Sequence, residues 1–383
     1  MSEQAGMTYK SAGVDNSVKE RVSRLFYDAS KKTWVNRKGR IGEIKSGVDS
    51  FSGYRSCDFS NLKDAEVGMG NDGIGTKQVI AQRLSTYTGD YSCHRGLPKD
   101  LLAMVVDDSG VRGAESILVT TTFNFNTLGE NHVKLAEHLA QGMIEAANDA
   151  RVAIFSGETA DLGDVVGGYG NERYIADATA LWVANTKRAI TGKNLKPGIP
   201  LVALYEGGFR SNGLSLTRKI GEKKIGEDWH KKEIDGANLA KLALTPSTIY
   251  CAALVDMFGG YDREPRADVK AVAHITGGGM PEKLKRMLAP SGLGANIFNA
   301  FEPGKAIQIF QKLGNVDDEE AYKTWNMGNG MIIATETPER VIEIANEHKI
   351  QAKIVGYTAD SPELSIDSRG VKTFGKRLSF KLN

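Results

Sequence analysis

"GNDGIGTKQVIAQRL", residues 70–84, sets Gly70, Asp72, Gly73, Gly75, Thr76 and Lys77 within eight positions and then turns apolar. Glycine lets a backbone approach a ligand closely and enter left-handed turns. The stretch therefore has the composition of a phosphate loop, but its order is unusual. The familiar loop reads G-x-x-x-x-G-K-[ST]. Here the hydroxyl of Thr76 precedes Lys77 and an acid, Asp72, sits inside the loop. The preceding "AEVGMG" predicts a short strand that breaks into this loop.

Working outward, 383 residues are too many for one compact core, so two domains are expected. The polar stretch "TKRAITGKNLKPGIP" (186–200) ahead of the apolar "LVALYEG" places the boundary between 192 and 193, giving domains 1–192 and 193–383. Hydrophobic content of 41% and charged content of 25% are those of an ordinary globular chain. A formal net charge of +2 argues against a protein that works by neutralising many nucleic-acid phosphates, and does not disfavour a small anionic ligand. No apolar run approaches the roughly 18–20 residues of a membrane helix. The N-terminus "MSEQAGMTYKSAG" lacks the apolar core of a secretory signal. Cys57, Cys93 and Cys251 are odd in number and far apart, which suits a reducing cytoplasm better than a disulfide framework. His132 and His138 are six apart and do not share a helix face.

Both halves mix strands and helices. Residues 18–29 predict a helix, and so does "NHVKLAEHLAQGMIEAANDA" (131–150), whose apolar residues form one stripe. "LLAMVV" (101–106) reads as a buried run ending at Asp107 and Asp108, followed by a β-rich run to Phe125. "RVAIFSGETADLGD" (151–164) reads as a strand entering a Gly-Glu-Thr turn, and "RYIADATALWVAN" (173–185) as a strand. In the second half, "TPSTIYCAALVDMF" (245–258) predicts a helix. "VKAVAHITGGGMPEKLKRML" (269–288) predicts strand, glycine loop and helix.

Acids and glycines recur at the ends of apolar segments: Asp72, Asp107 with Asp108, Glu158 with Asp161, and Gly277, Gly278 and Gly279 after His274. Ligands of open α/β sheets bind outside strand ends. Glycine turns that open helices offer backbone N–H groups to anions. Carboxylates there cannot bind phosphate but can hold Mg²⁺, and Lys77 would add a point charge. Each feature alone is more often structural: a glycine turn is usually a turn, paired acids are usually solvated, and a lone histidine is as readily a core group. Their joint occurrence carries the reading.

Eight ordered segments together resemble phosphoribosylformylglycinamidine cyclo-ligase, also called aminoimidazole ribonucleotide synthetase. They are "YKSAGVD" (9–15), "NDGIGTK" (71–77), "LLAMVVDDSGVRGAE" (101–115), "SGETAD" (156–161), "RSNGLSLTRKI" (210–220), "LTPSTIY" (244–250), "AHITGGG" (273–279) and "WNMGNGMIIA" (325–334). The resemblance implies a two-domain α/β (α+β) fold. The N-terminal domain would pair with its twin in a barrel shared across a homodimer, and the C-terminal domain would be of three-layer α/β/α type. It implies ATP and Mg²⁺ in the cleft between domains, partly covered by the N-terminal segment. Nucleotide contacts fall on Lys10, Asp72, Gly73, Gly75, Thr76, Lys77, Thr276, Gly277, Gly278 and Gly279. Metal contacts fall on Asp72, Asp108 and Glu158. Chemistry falls on Lys77, His274 and Asp108, and substrate contacts on Ser211, Asn212 and Gly213. The implied reaction is ATP-dependent closure of formylglycinamidine ribonucleotide to aminoimidazole ribonucleotide, with neither membrane nor nucleic acid as partner.

The chain departs from the family pattern at several points. Asp107-Asp108 stands where Asn-Asp is usual, and Thr121-Thr122 where Asp-Tyr is usual. "SGETADLG" replaces Gly-Gly-Glu-Thr-Ala-Glu-Met-Pro. Arg210 takes the place of a histidine, and Thr248 that of an arginine. Two other readings therefore stay open: another ATP-using enzyme of the superfamily, or a non-catalytic nucleotide-binding paralogue.

Overall fold

The computed structural model describes residues 15–45 and 55–382. The N-terminal half begins with α1 (Asn16–Thr33), capped by the Asp15 carboxylate accepting from the Ser17 N–H at 3.0 Å. A small antiparallel pair follows, β1 (Glu43–Lys45) and β2 (Ser56–Asp58). Then come β3 (Ala65–Gly73), α2 (Lys77–Thr88), α3 (Leu97–Gly110), β4 (Ala114–Phe125), α4 (Glu130–Ala150), β5 (Ala153–Asp161) and β6 (Tyr174–Asn185). Four of these strands form a sheet in the order β3-β6-β4-β5. Along β6 the buried Tyr174, Ala176, Ala178 and Ala180 alternate with the more exposed Ile175, Asp177, Thr179 and Leu181. One face is therefore packed and the other open. Helices α1 and α3 cover the packed face, where Phe26 stacks on Phe123 with centroids 4.6 Å apart, and α4 packs against both helices.

The C-terminal half runs β7 (Pro200–Tyr205), α5 (Leu214–Lys224), the hairpin β8 (Glu233–Ile234) and β9 (Ala237–Asn238), α6 (Leu239–Ala243) and α7 (Cys251–Phe258). It continues with β10 (Val269–His274), α8 (Gly279–Leu288), β11 (Gly294–Ile297), α9 (Lys305–Gly314) and α10 (Asp318–Thr324). Last are β12 (Asn329–Thr335), α11 (Pro338–Glu347), β13 (Ala352–Ala359), β14 (Glu363–Asp367) and β15 (Arg377–Lys381). A seven-stranded mixed sheet has the order β10-β12-β7-β13-β11-β14-β15. Every residue of β12 is buried, as expected of a central strand covered on both faces. No helix among the described residues is long and apolar enough to cross a membrane.

Four local expectations change. "LLAMVV" belongs to helix α3; its apolar residues surround the whole helix because α3 is buried on nearly all sides, which erases helical periodicity. "SGETAD" does not turn but continues β5 to Asp161, held by parallel pairing with β4 out to Phe125. "AEVGMG" extends as β3 to Gly73, paired with β6 throughout. "TPSTIY" forms neither helix nor strand, and the helix starts only at Cys251.

The glycines of helix crossings are tightly constrained. An added β-carbon on Gly142, within α4, would overlap the Arg95 carbonyl. Gly142→Ala should lower folding stability by about 1–3 kcal/mol through overpacking. The expected readout is a lower urea midpoint at unchanged slope, and a midpoint equal to wild type would refute the close approach.

Candidate active site

The three glycines of residues 70–77 serve three different ends. Gly70 lies within β3, where a β-carbon would meet the Trp182 ring at 2.6 Å. Gly73, also in the strand, makes room for the Asp177 carboxylate at 2.7 Å. Gly75 forms the turn itself, with φ +69°, and a β-carbon there would approach the Ser211 carbonyl oxygen to 3.1 Å. Gly277 in turn faces the Asn212 side-chain oxygen, which a β-carbon would reach at 3.4 Å. Three loops from two halves thus meet: Gly75-Thr76, Ser211–Gly213 and Thr276–Gly279. Ser211 Oγ also donates to the Asp100 carbonyl at 3.3 Å.

Lys77 does not face this meeting point. It is wholly buried, and its Nζ donates to Asp100 Oδ1 at 2.7 Å and to the Thr245 carbonyl at 2.6 Å. The same Asp100 oxygen accepts from the Ser247 N–H at 2.9 Å and hydroxyl at 2.5 Å. The expectation of a phosphate-facing Lys77 is corrected: the first turn of α2 turns this side chain inward, where it compensates a buried carboxylate. Breaking such a pair by removing one partner leaves an uncompensated charge.

A second buried network lies one helical repeat further along α3. Asp107 accepts from Arg210 Nη2 at 2.9 Å and from the Tyr250 and Cys251 N–H groups at 2.9 and 2.8 Å, capping α7. Arg210 Nη1 donates to Glu206 at 3.0 Å and to the Thr248 carbonyl at 2.7 Å. Arg210 Nη2 also lies 2.7 Å from His274 Nε2. An arginine can only donate, so His274 Nε2 accepts, and its proton sits on Nδ1, which donates to Asp108 Oδ1 at 2.6 Å. Burial and the Arg210 charge push the His274 pKa down, in keeping with a neutral ring. Both ring nitrogens are engaged. His274 therefore orients Asp108, and its expected direct role in chemistry is revised to a positioning one. Burial alone would raise the Asp108 pKa, but the His274 hydrogen bond, with charges on Lys283 and Arg210, holds it below the usual carboxylate range.

Asp108 itself remains 60% exposed. With His274 it lines a cavity of about 340 Å³ between the halves, whose other walls include Arg112, Trp182, Lys283 and Arg286. Asp72 lies within electrostatic reach of Asp108, His274 and Asp177, and burial followed by the Asp108 charge raises its pKa. Apart from the adjacent Gly73 N–H at 2.7 Å, Asp72 receives no drawn hydrogen bond among the described residues. Two neighbouring carboxylates short of donors are a donor set that fits a hard cation, which needs one or two carboxylates beside ligand phosphates and water.

Glu158 does not join them. In register, Asp72 pairs with Ala178, Ala178 with Thr121, and Thr121 with Gly157. Glu158, one residue on, points to the opposite face. It is also three strands away, about 14 Å at an inter-strand spacing of about 4.8 Å. It borders a separate cavity of about 340 Å³ beside Ser23, Phe26 and Trp34. The three acids expected to share one metal are thus not brought together: Glu158 stands apart from Asp72 and Asp108. Among the described residues no three His, Cys, Asp or Glu side chains gather as a metal site. Lys10 lies outside the described residues.

Family models for the AIR synthase related protein match this chain over 61–183 (N-terminal domain) and 196–368 (C-terminal domain). The chain belongs to the AIR synthase related family. Similar members include the phosphoribosylformylglycinamidine cyclo-ligase of Methanocaldococcus jannaschii, 32% identical and covering 97% of this chain and 96% of that one. The cyclo-ligase of Acetivibrio thermocellus is 30% identical, covering 93% and 98%. Among solved structures, E. coli HypE superposes with a TM-score of 0.58 at 17% identity, covering 95% and 97%. Thiamine-monophosphate kinase from Stenotrophomonas maltophilia K279a gives 0.57 at 11%, covering 90% and 96%. At these identities the likeness is one of fold.

Within this AIR synthase related chain, two departures from the cyclo-ligase pattern bond directly: Arg210 Nη2 donates to Asp107 in the buried seam, while Nη1 donates to the backbone carbonyl of Thr248. Thr121 is buried on the packed face of the sheet, while Thr122 shares the open face with Asp177 and Glu158. Sequence reasoning did not single out Asp100, Arg112, Lys283 or Arg286. The last two follow the triple glycine on the next helix, a basic spacing visible in "GGGMPEKLKR".

Lys77→Met should destabilise the fold by about 3–5 kcal/mol, since Asp100 is left charged and buried. The double variant Lys77→Met/Asp100→Asn should regain part of that loss in chemical denaturation. A Lys77→Met protein as stable as wild type would refute the structural role.

Proposed function

We propose that this protein is an ATP-dependent cyclo-ligase that converts formylglycinamidine ribonucleotide to aminoimidazole ribonucleotide, a step of purine synthesis, in the cytoplasm. The observation that carries the reading is Asp108, held by His274 on the wall of a cavity at the domain seam, with Asp72 within electrostatic reach of both. Relatives of about 30% identity over nearly the whole chain carry that name. ATP accompanies a fold neighbour, a HypE protein described in complex with ATP, at a TM-score of 0.52 and 15% identity.

In this reading an amide oxygen must first become a leaving group. ATP phosphorylates the formyl amide oxygen, the amidine nitrogen attacks that carbon, inorganic phosphate departs and the imidazole ring closes. Asp72 and Asp108 would hold a magnesium ion, which when bound neutralises phosphate charge. His274 fixes the Asp108 carboxylate by its Nδ1–H. The turn Thr276–Gly279 opens α8, whose N-terminus favours anions and whose Lys283 and Arg286 line the cavity. Ser211–Gly213 meets both glycine turns and is placed to position the acceptor. The chain thus contributes mainly orientation and fixed charge.

A second copy of the chain fits the open face of the N-terminal sheet. Val67 is 51% exposed and Met69 69% exposed on the edge strand β3. Exposed apolar side chains on an unpaired edge invite pairing. We place a homodimer with a shared barrel there. A second functional reading, another acceptor for the same phosphoryl chemistry, draws support from Thr122, which replaces an aromatic residue of the family pattern on that open face.

Purified protein given ATP, Mg²⁺ and formylglycinamidine ribonucleotide should release ADP and aminoimidazole ribonucleotide. ATP turnover with another acceptor alone would favour the second reading, and nucleotide binding without any turnover would sink both. Asp108→Asn should lower kcat/KM by about 100-fold or more, as for loss of a preorganised charge at the reacting centre. Met69→Asp should convert the dimer to a monomer in analytical ultracentrifugation; an unchanged sedimentation coefficient would exclude the β3 edge as the interface.

A further inference from the structure

Resting on the nucleotide reading above, we propose that Lys283, on the first turns of α8, is the cation that binds a phosphate group of the ligand held at Asp72 and Asp108. The sequence pattern assigned this task to Lys77, but Lys77 is spent in the seam on Asp100 and Thr245. A phosphate brought to two carboxylates needs positive charge nearby. His274 is neutral, and the cations lining the cavity are Arg112, Lys283 and Arg286.

Lys283 has the position for the task. It lines the same 340 Å³ cavity as Asp108 and His274. Its charge acts on both Asp108 and Asp72. Among the described residues no hydrogen bond or ion pair is drawn to its Nζ, so its three donors are uncommitted. Its neighbours are less free. Arg286 bonds Glu282 at 3.1 Å, and Arg112 reaches the Thr191 carbonyl at 3.5 Å. Lys283 follows Gly279, the first residue of α8, by one helical turn. Burial and Arg286 lower the Lys283 pKa, and a bound phosphate would offset both by stabilising the ammonium.

Phosphate could come from ATP or from the acceptor's ribose 5′-phosphate, and calorimetric titration separates them. Wild type, Lys283→Ala, Lys283→Gln and Lys283→Arg are each titrated with Mg·ATP, adenosine and formylglycinamidine ribonucleotide, alongside thermal melting. Expected is a loss of about tenfold in affinity for Mg·ATP or for the ribonucleotide in the Ala and Gln variants, the scale of one charged hydrogen bond. Affinity for adenosine and the melting temperature should hold, and Arg should restore most of the loss. Loss for Mg·ATP alone assigns Lys283 to the triphosphate, and loss for the ribonucleotide alone to the acceptor. Unchanged affinity for both in Ala and Gln variants overturns the role of Lys283 and leaves the nucleotide reading intact. Equal loss for adenosine overturns it in favour of a packing role. A wild-type protein that binds neither phosphate ligand overturns the nucleotide reading itself, and Lys283's role with it.

Discussion

Helix α3 carries two buried carboxylates, Asp100 and Asp107, seven residues apart and so on one helical face. Each is wholly buried, and a charge in that setting is tolerated only when surrounded by donors. Those donors come largely from the other half of the chain: Ser247 for Asp100, and Arg210, Tyr250 and Cys251 for Asp107. Residues 245–251 are thereby laced along α3. A further tie lies at the surface, where Asp256 on α7 accepts from Arg151 and His348, each at 2.8 Å. The two sheets meet where these acids dictate.

The same helix sets the cleft. Asp108 follows Asp107 by one residue, a rotation of about 100° around the axis. That rotation carries it out of the seam and into the cavity. Two identical letters thus acquire opposite duties, one closing the interface and the other facing a ligand. Arg210 links them, bonding Asp107 directly and Asp108 through His274. A histidine at position 210 could not serve both Glu206 and Asp107 with the fork geometry of a guanidinium. The acid at 107 and the arginine at 210 therefore belong together, and they alter the seam rather than the cleft.

How legible this was from sequence depended on what each signal measures. The α4 stripe was readable because one face is apolar and the other wet. Helix α3 was not, since it is buried nearly all round and its periodicity vanishes. The acids at Asp72 and Asp108 were found by their motif. Glu158 was grouped with them because nothing in a linear string reveals that strand alternation sends it to the other face of the sheet. Lys77 misled for a related reason: a lysine after a glycine turn reads as a phosphate ligand until its buried partner, Asp100, is known. Lys283 was visible as a basic residue after Gly279, yet "EKLKR" is also what any solvated helix face looks like.

Because the seam is ionic and buried, it cannot slide without stranding charge. The cleft it frames is accordingly preorganised, with Gly75 of one half packed close to the Ser211 carbonyl of the other. Asp108 is held by His274, and the Lys283 ammonium, with no partner among the described residues, is the charged group on that cavity left free to move. Catalysis by orientation requires such an arrangement, a rigid frame in which only the charged tips respond to the ligand. Buried charge is thus retained here at a desolvation cost that apolar packing would avoid, and what it secures is the fixed relation between two carboxylates and three turns.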